Sequence, residues 1–113
     1  MFDRGDKEFV IDMFLSCQKI KDQKTIDAVV RNIKILGEAV KNISNQFREK
    51  YPDIEWSIIA RTRDKLIHFY FGVDVITLWK IAKFDIPRLI KKLEGIIKNE
   101  GGKTKLIFNF GGK

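Results

Sequence analysis

The most constraining feature of the sequence is a run of apolar residues at helical spacing between positions 26 and 43. Thr25 or Asp22 can accept the first free amide hydrogens of this helix, and Pro52 prevents it from continuing past Tyr51. An amphipathic pattern over several turns predicts a helix with one buried face. The residues of that face recur at i, i+3, i+4 and i+7 and are Ile26, Val29, Val30, Ile33, Leu36, Val40 and Ile43.

Apolar periodicity predicts three further helices. The first runs from Asp6 to about Lys21, and the third runs from about Asp53 to Gly72, a residue type that readily adopts the left-handed helix cap. Asp74 caps the fourth helix, which Pro87 should kink or divide because proline removes a backbone hydrogen bond and clashes with the preceding turn. Helices joined by short connections predict an all-α fold, an antiparallel up-and-down bundle of four to five helices.

The C-terminal tail differs in pattern from these helices. Gly101 and Gly102 break the last helix, and residues 106–110 alternate in a way that predicts a short strand or an exposed apolar segment. Such a segment can pair with another chain, dock on its own bundle or remain disordered. We therefore divide the chain into a helical domain, residues 1–100, and a tail, residues 101–113.

Composition predicts one small cytoplasmic domain. The chain has 113 residues, of which 33% are charged, and it contains neither a signal-peptide pattern nor an apolar run of the ~18 residues that span a bilayer. Its net charge of +7 favours an acidic partner, either RNA or an acidic protein. Arg88, Lys91 and Lys92 cluster on the last predicted helix, although a solvated helix face would look the same.

The segment around His68 carries the chemistry that the sequence offers. His68 is the only histidine, and Arg63 is a permanent cation suited to phosphate, so the pair indicates phosphodiester chemistry. Asp64 precedes His68 by four residues and can hold its tautomer or raise its pKa. The plainer interpretation makes His68 a polar helix-end residue and Arg63 a surface charge.

Cysteine and histidine usage argues against a transition-metal site. Cys17 is the only cysteine and is expected to pack as a small apolar residue, which leaves no intrachain disulfide and too few nitrogen or sulfur ligands for zinc. We therefore expect no cofactor. A nuclease built from this chain would be metal-independent or would use a magnesium ion held weakly by carboxylates.

The motif Arg63-x4-His68-x-Tyr70 resembles the Arg-x4-His-x-Tyr signature of the HepT-like proteins, a branch of the HEPN superfamily. The segments 24–39, which ends in Gly-Glu-Ala, 51–56, 70–74 and 78–79 are similar to the family as well, and the likeness covers roughly residues 4–98. Two features depart from it. The connection after the first helix looks short, and Asp64 stands where many relatives carry asparagine.

The resemblance implies a HEPN-like bundle that acts as a metal-independent endoribonuclease toxin. Arg63 and His68 would be catalytic at a homodimer interface, and the chemistry favours a dimer because one histidine cannot easily serve as both base and acid. Glu38 would support Arg63 or another basic group. The implied partner is a minimal nucleotidyltransferase (MNT) antitoxin that adds AMP units to Tyr70 and so blocks RNA by charge and bulk.

Two other functions remain open. A non-catalytic helical adaptor that binds a nucleotidyltransferase or a nucleotide would need a dimer surface and a basic groove, but it would not need His68. A plain dimerisation module with a relic motif would show no toxicity on expression. RNA cleavage by the protein and by its His68→Ala variant separates the enzyme from the adaptor.

Overall fold

Helices account for nearly all of the residues that the computed structural model describes, which are 3–68 and 74–101, with side chains for 5–66 and 74–101. No strand occurs among them, and the predicted all-α fold is confirmed. None of the helices in these two ranges is long and apolar enough to cross a membrane. The elements are α1 (Asp3–Asp22), α2 (Ile26–Lys41), α3 (Asn45–Lys50), α4 (Trp56–His68), α5 (Val75–Lys80), a π-helical turn (Ile81–Asp85) and α6 (Ile86–Glu100).

Helix α2 is the central element of the bundle. It packs against α1 on one side and α4 on the other, while α6 packs against α1. The predicted apolar face of α2 is buried, with only Ile26 partly exposed. Burying one such aliphatic side chain stabilises the fold by roughly 1.5–3 kcal/mol, so this face anchors the core. The same core cluster includes Val10, Met13, Phe14, Cys17 and Ile20 on α1 and Leu93, Ile96 and Ile97 on α6.

The N-terminus of α2 is capped by one of the two residues expected there. Thr25 has an extended backbone, and its Oγ1 accepts a hydrogen bond from the amide of Ala28 at 3.3 Å. Asp22, the other candidate, is instead the last residue of α1.

A second cap divides the region before Pro52 into two helices. Ser44 Oγ accepts from the amide of Phe47 at 3.1 Å and starts α3. Asp6 on α1 accepts hydrogen bonds from both the amide and the hydroxyl of Ser44, each at 2.7 Å. This contact fixes the break between α2 and α3 against α1.

Helix α4 begins at Trp56, a few residues later than the predicted start near Asp53. The intervening residues form a turn, and the indole Nε1 of Trp56 donates to the carbonyl of Tyr51 at 2.9 Å. Trp56 and Leu66 of this helix are buried in the core. The predicted helix end at Gly72 lies outside the described residues, as does the tail segment 106–110.

The last long helix is divided as its proline predicts. Asp74 caps α5 by accepting from the amide of Ile76 at 3.1 Å. The chain then widens into the π-helical turn, in which the amide of Ile86 donates to the carbonyl of Ile81, before α6 begins with Pro87 in its first turn. Pro87 has no amide hydrogen, so the regular helical hydrogen bond is missing at that position. The wider π-helical turn before it allows the chain to continue as a helix.

Candidate active site on helices α2 and α4

The site is built where α2 and α4 come into close contact, at Gly37 and Arg63. A Cβ atom placed on Gly37 would lie 2.1 Å from Cβ and 2.7 Å from Cγ of Arg63, and 3.4 Å from the carbonyl oxygen of Ile59. Carbon atoms in contact are normally about 3.5–4.0 Å apart, so only glycine fits here. The stem of Arg63 therefore lies directly against the backbone of α2.

The guanidinium group of Arg63 is held between two carboxylates. Its Nη2 donates to Glu38 Oε1 at 2.7 Å, and its Nη1 donates to Asp64 Oδ1 at 2.9 Å. The Arg63 side chain is 23% exposed, whereas that of Glu38 is 56% exposed. The Nε atom of Arg63 is buried and has no hydrogen-bond partner in the part of the chain that the structure describes. The inner edge of the group thus faces the protein, whereas its Nη2 contact with Glu38 is exposed to solvent.

A lysine on α2 completes the group of charges. Lys41 Nζ donates to the same oxygen, Asp64 Oδ1, at 2.7 Å. The hydrogen bond from Lys41 and then that from Arg63 lower the pKa of the Asp64 carboxyl below its ordinary value. Glu38, Lys41, Arg63 and Asp64 are called the charge cluster below. It holds two formal positive and two formal negative charges.

The sequence indicated three members of the charge cluster but not Lys41. Arg63 and Asp64 belong to the motif, and Glu38 was expected to support a basic group. The available signal for Lys41 was its position three residues after Glu38, which places both on one face of the last turns of α2. Lysine at such spacing is common on solvated helix surfaces, so the pattern alone does not mark it.

The remaining motif residues fall at the edge of what the structure describes. The backbone of His68 ends α4, five residues after Arg63, which corresponds to about 7.5 Å of helical rise. The His68 side chain and all of Tyr70 lie outside the described part. The predicted contact between Asp64 and His68 therefore stays a prediction.

An apolar groove lies beside the charge cluster, between α2, α4 and the start of α6. Its cavity has a volume of about 260 Å³, and Thr62, which precedes Arg63, is part of its wall. Arg88 and Lys92 of the predicted basic patch also line it, and Lys92 Nζ donates to the carbonyl of Asp53 at 2.9 Å. The groove thus joins an apolar wall to both basic and acidic side chains, the latter being Glu55 and Asp85. The apolar lining residues include Ile33, Leu36, Ile54, Ile58, Ile59 and Leu89.

Cys17 does not contribute to this site. Cys17 is fully buried in the core, as predicted, and burial raises the pKa of its thiol to about 12, so the thiolate is scarce at neutral pH. Within residues 3–68 and 74–101, no group of three or more histidine, cysteine, aspartate or glutamate side chains is placed to hold a metal ion.

Comparison with known proteins identifies a family over most of the chain. The profile of the family described as "Ribonuclease HepT-like" matches residues 7–96. A candidate RNase of Methanocaldococcus jannaschii is 44% identical over 98 residues, which cover 87% of this chain and 80% of the relative. The "Probable ribonuclease HepT" of Thermococcus cleftensis is 56% identical over 77 residues, 68% of this chain and 70% of the relative. No solved structure matches the chain significantly.

Proposed function

Since the chain belongs to the HepT-like ribonuclease family, we propose that it is a metal-independent endoribonuclease that cuts RNA with Arg63 and His68. One observation above all supports this role for Arg63. Its stem is fixed against Gly37, while its Nη2 atom makes a contact that is exposed to solvent. A cation held in place before substrate binds loses little freedom when it contacts a phosphate, which is what electrostatic stabilisation of a transition state requires.

The proposed reaction needs a base, an acid and a positive charge. A base removes the proton of a ribose 2′-hydroxyl, the resulting oxygen attacks the adjacent phosphorus, and an acid protonates the departing 5′-oxygen. Arg63 stabilises the extra negative charge that forms on the phosphate oxygens. In a two-fold homodimer, one His68 acts as the base and the other as the acid.

The dimer is part of the proposal because one copy carries one histidine. Large apolar side chains are exposed on α2, α4 and the π-helical turn: Ile35 is 47%, Ile58 is 48% and Phe84 is 61% exposed. Apolar surface of this kind supports association, although single exposed residues are also common on monomers. Sedimentation at several concentrations tests the dimer directly.

Control by a partner is the regulatory part of the proposal. An MNT nucleotidyltransferase antitoxin would transfer AMP units to Tyr70, two residues after His68, and the added negative charge and bulk would exclude RNA. Intact-mass measurement after co-expression with such a partner should show increments of the AMP mass in the wild type and none in Tyr70→Phe. Unmodified wild-type protein would count against this control.

The decisive experiment is cleavage of a mixed RNA pool in the presence of EDTA. Wild type should cut, whereas His68→Ala and Arg63→Ala should not, at matched folding and dimer content. Arg61→Ala is the matched control, because Arg61 is an exposed residue on the same helix and its loss removes the same charge. Retained partner binding with no cleavage by wild type would instead favour the adaptor.

A further inference from the structure

The charge cluster poses a difficulty for phosphate binding by Arg63. Both Nη atoms of the guanidinium group already donate to carboxylates, to Glu38 at 2.7 Å and to Asp64 at 2.9 Å. An RNA phosphate carries the same kind of charge as these carboxylates, which offset the positive charge of the guanidinium group and repel the phosphate. Any group that weakens the hold of a carboxylate on Arg63 therefore favours RNA binding.

Lys41 is placed to weaken that hold. Its Nζ bonds to Asp64 Oδ1 at 2.7 Å, and this is the oxygen that Arg63 also uses, at the longer distance of 2.9 Å. Lys41 approaches from α2, whereas Arg63 and Asp64 are neighbours on α4. Adjacent residues on a helix point in different directions, so the contact between Arg63 and Asp64 needs the arginine to bend round the helix.

We propose that Lys41 is a positioning residue of the ribonuclease site, which retains the Asp64 carboxylate so that an RNA phosphate can take its place at Nη1 of Arg63. The inference rests on the proposed function. After the exchange, Lys41 pairs with Asp64 and Arg63 pairs with the phosphate, so that no carboxylate is left without a cation. If Lys41 is removed, Arg63 is the cation of the charge cluster that remains for Asp64. The Asp64 carboxylate and the Arg63 guanidinium can then form a pair with two hydrogen bonds.

Exposure of the cluster makes the exchange feasible. The side chains of Lys41 and Asp64 are 38% and 43% exposed, so water and a phosphate both have access to the shared oxygen. Ion pairs at this level of exposure are individually weak, because solvent screens them. Replacing the Arg63 to Asp64 contact is therefore a small step, provided that the carboxylate keeps its lysine.

A double-mutant cycle separates this role from direct contact between Lys41 and RNA. The variants are Lys41→Gln, Asp64→Asn and the pair, and the readouts are kcat and KM on one RNA oligonucleotide and Kd for its uncleavable 2′-O-methyl form. Lys41→Gln should raise KM and Kd by roughly two- to fivefold and leave kcat nearly unchanged, whereas the same change in the Asp64→Asn background should have little effect. Lys41→Arg, which can still hold the carboxylate, should restore wild-type values.

Lys65→Gln is the matched control for charge. Lys65 is an exposed neighbour of Asp64 on α4, and the effect of its loss should be the same with and without the Asp64 carboxylate. Equal losses from Lys41→Gln in both backgrounds would mean that Lys41 touches RNA directly, and this would overturn the inference. An unchanged Kd in Lys41→Gln would overturn it too.

The two readouts distinguish failure of the inference from failure of the proposed function. Coupling between Lys41 and Asp64 in Kd, in a protein that does not cut RNA, would sustain the inference about binding and refute the ribonuclease. RNA cleavage without coupling between Lys41 and Asp64 would refute the inference and support the ribonuclease. Circular dichroism on each variant establishes that the compared proteins are equally folded.

Discussion

Replacement of Gly37 by alanine should destabilise the protein, although alanine is the better helix former. The new Cβ would lie 2.1 Å from Cβ of Arg63, about 1.5 Å closer than carbon atoms normally pack. Both atoms are attached directly to helix backbones, so no side-chain rotation can separate them and α2 and α4 must move apart. Overpacking of this kind costs about 1–3 kcal/mol, and this contact belongs at the upper end of that range.

The gain in helix propensity only partly offsets this cost. Exchanging glycine for alanine inside a helix contributes about 1 kcal/mol of stability, which leaves a net loss of about 2 kcal/mol for Gly37→Ala. Gly95 on α6 is the matched control, because a Cβ placed there meets no atom within 4 Å. Gly95→Ala should therefore stabilise the protein by about 0.5–1 kcal/mol.

Urea unfolding followed by circular dichroism measures both changes, at one fixed protein concentration because dimerisation would add to apparent stability. The two variants should differ by about 3 kcal/mol and have opposite signs. Equal stabilisation by both substitutions would refute the close approach of α2 to Arg63. Folded Gly37→Ala should also cut RNA more slowly than folded Gly95→Ala, because the stem of Arg63 is displaced.

Three further predictions concern other parts of the molecule. Asp6→Ala should lower the unfolding free energy by about 1–3 kcal/mol, since both hydrogen bonds to Ser44 are lost, and urea titration checks this. Cys17 should react with a disulfide reagent at pH 8 only as fast as the protein unfolds, and rapid labelling of the native state would contradict its burial. Because the pKa of Asp64 is lowered, its carboxylate stabilises the folded protein at pH values above the ordinary carboxyl pKa, and this stability is lost as pH falls through the lowered pKa. In Asp64→Asn the unfolding free energy should therefore fall less steeply as the solution is made acidic.

Much of the fold follows from local patterns in the sequence. The apolar spacing along α2 predicts a buried face regardless of which elements surround the helix. Asp74 and Pro87 affect backbone hydrogen bonds within one helical turn of their own positions. The break between α2 and α3 was not predicted. Ser44 is held there by Asp6, 38 residues earlier in the chain, and a contact over that separation leaves no mark on the local pattern.

The candidate site was predictable to the extent that it lies on one helix. Arg63 and Asp64 stand out as charged residues close to the only histidine, but the spacing does not say which groups from α2 meet them. The contact between Lys41 and Asp64 joins residues 23 apart, and it depends on the register of α2 against α4. That register depends on Gly37, which has no side chain and so allows α2 to lie against Arg63, and the sequence alone does not reveal this contact.

Packing, more than ion pairing, determines where the Arg63 guanidinium points. Its Nε is buried, with no hydrogen-bond partner among the described residues, and its stem lies against the α2 backbone. The inner part of the side chain therefore has one direction open to it. The pairs with Glu38 and Asp64 are partly exposed, and solvent weakens such pairs far more than it weakens a steric constraint. Substrate can therefore exchange the carboxylates without losing the orientation of the cation, which is the property that a phosphate-binding arginine needs.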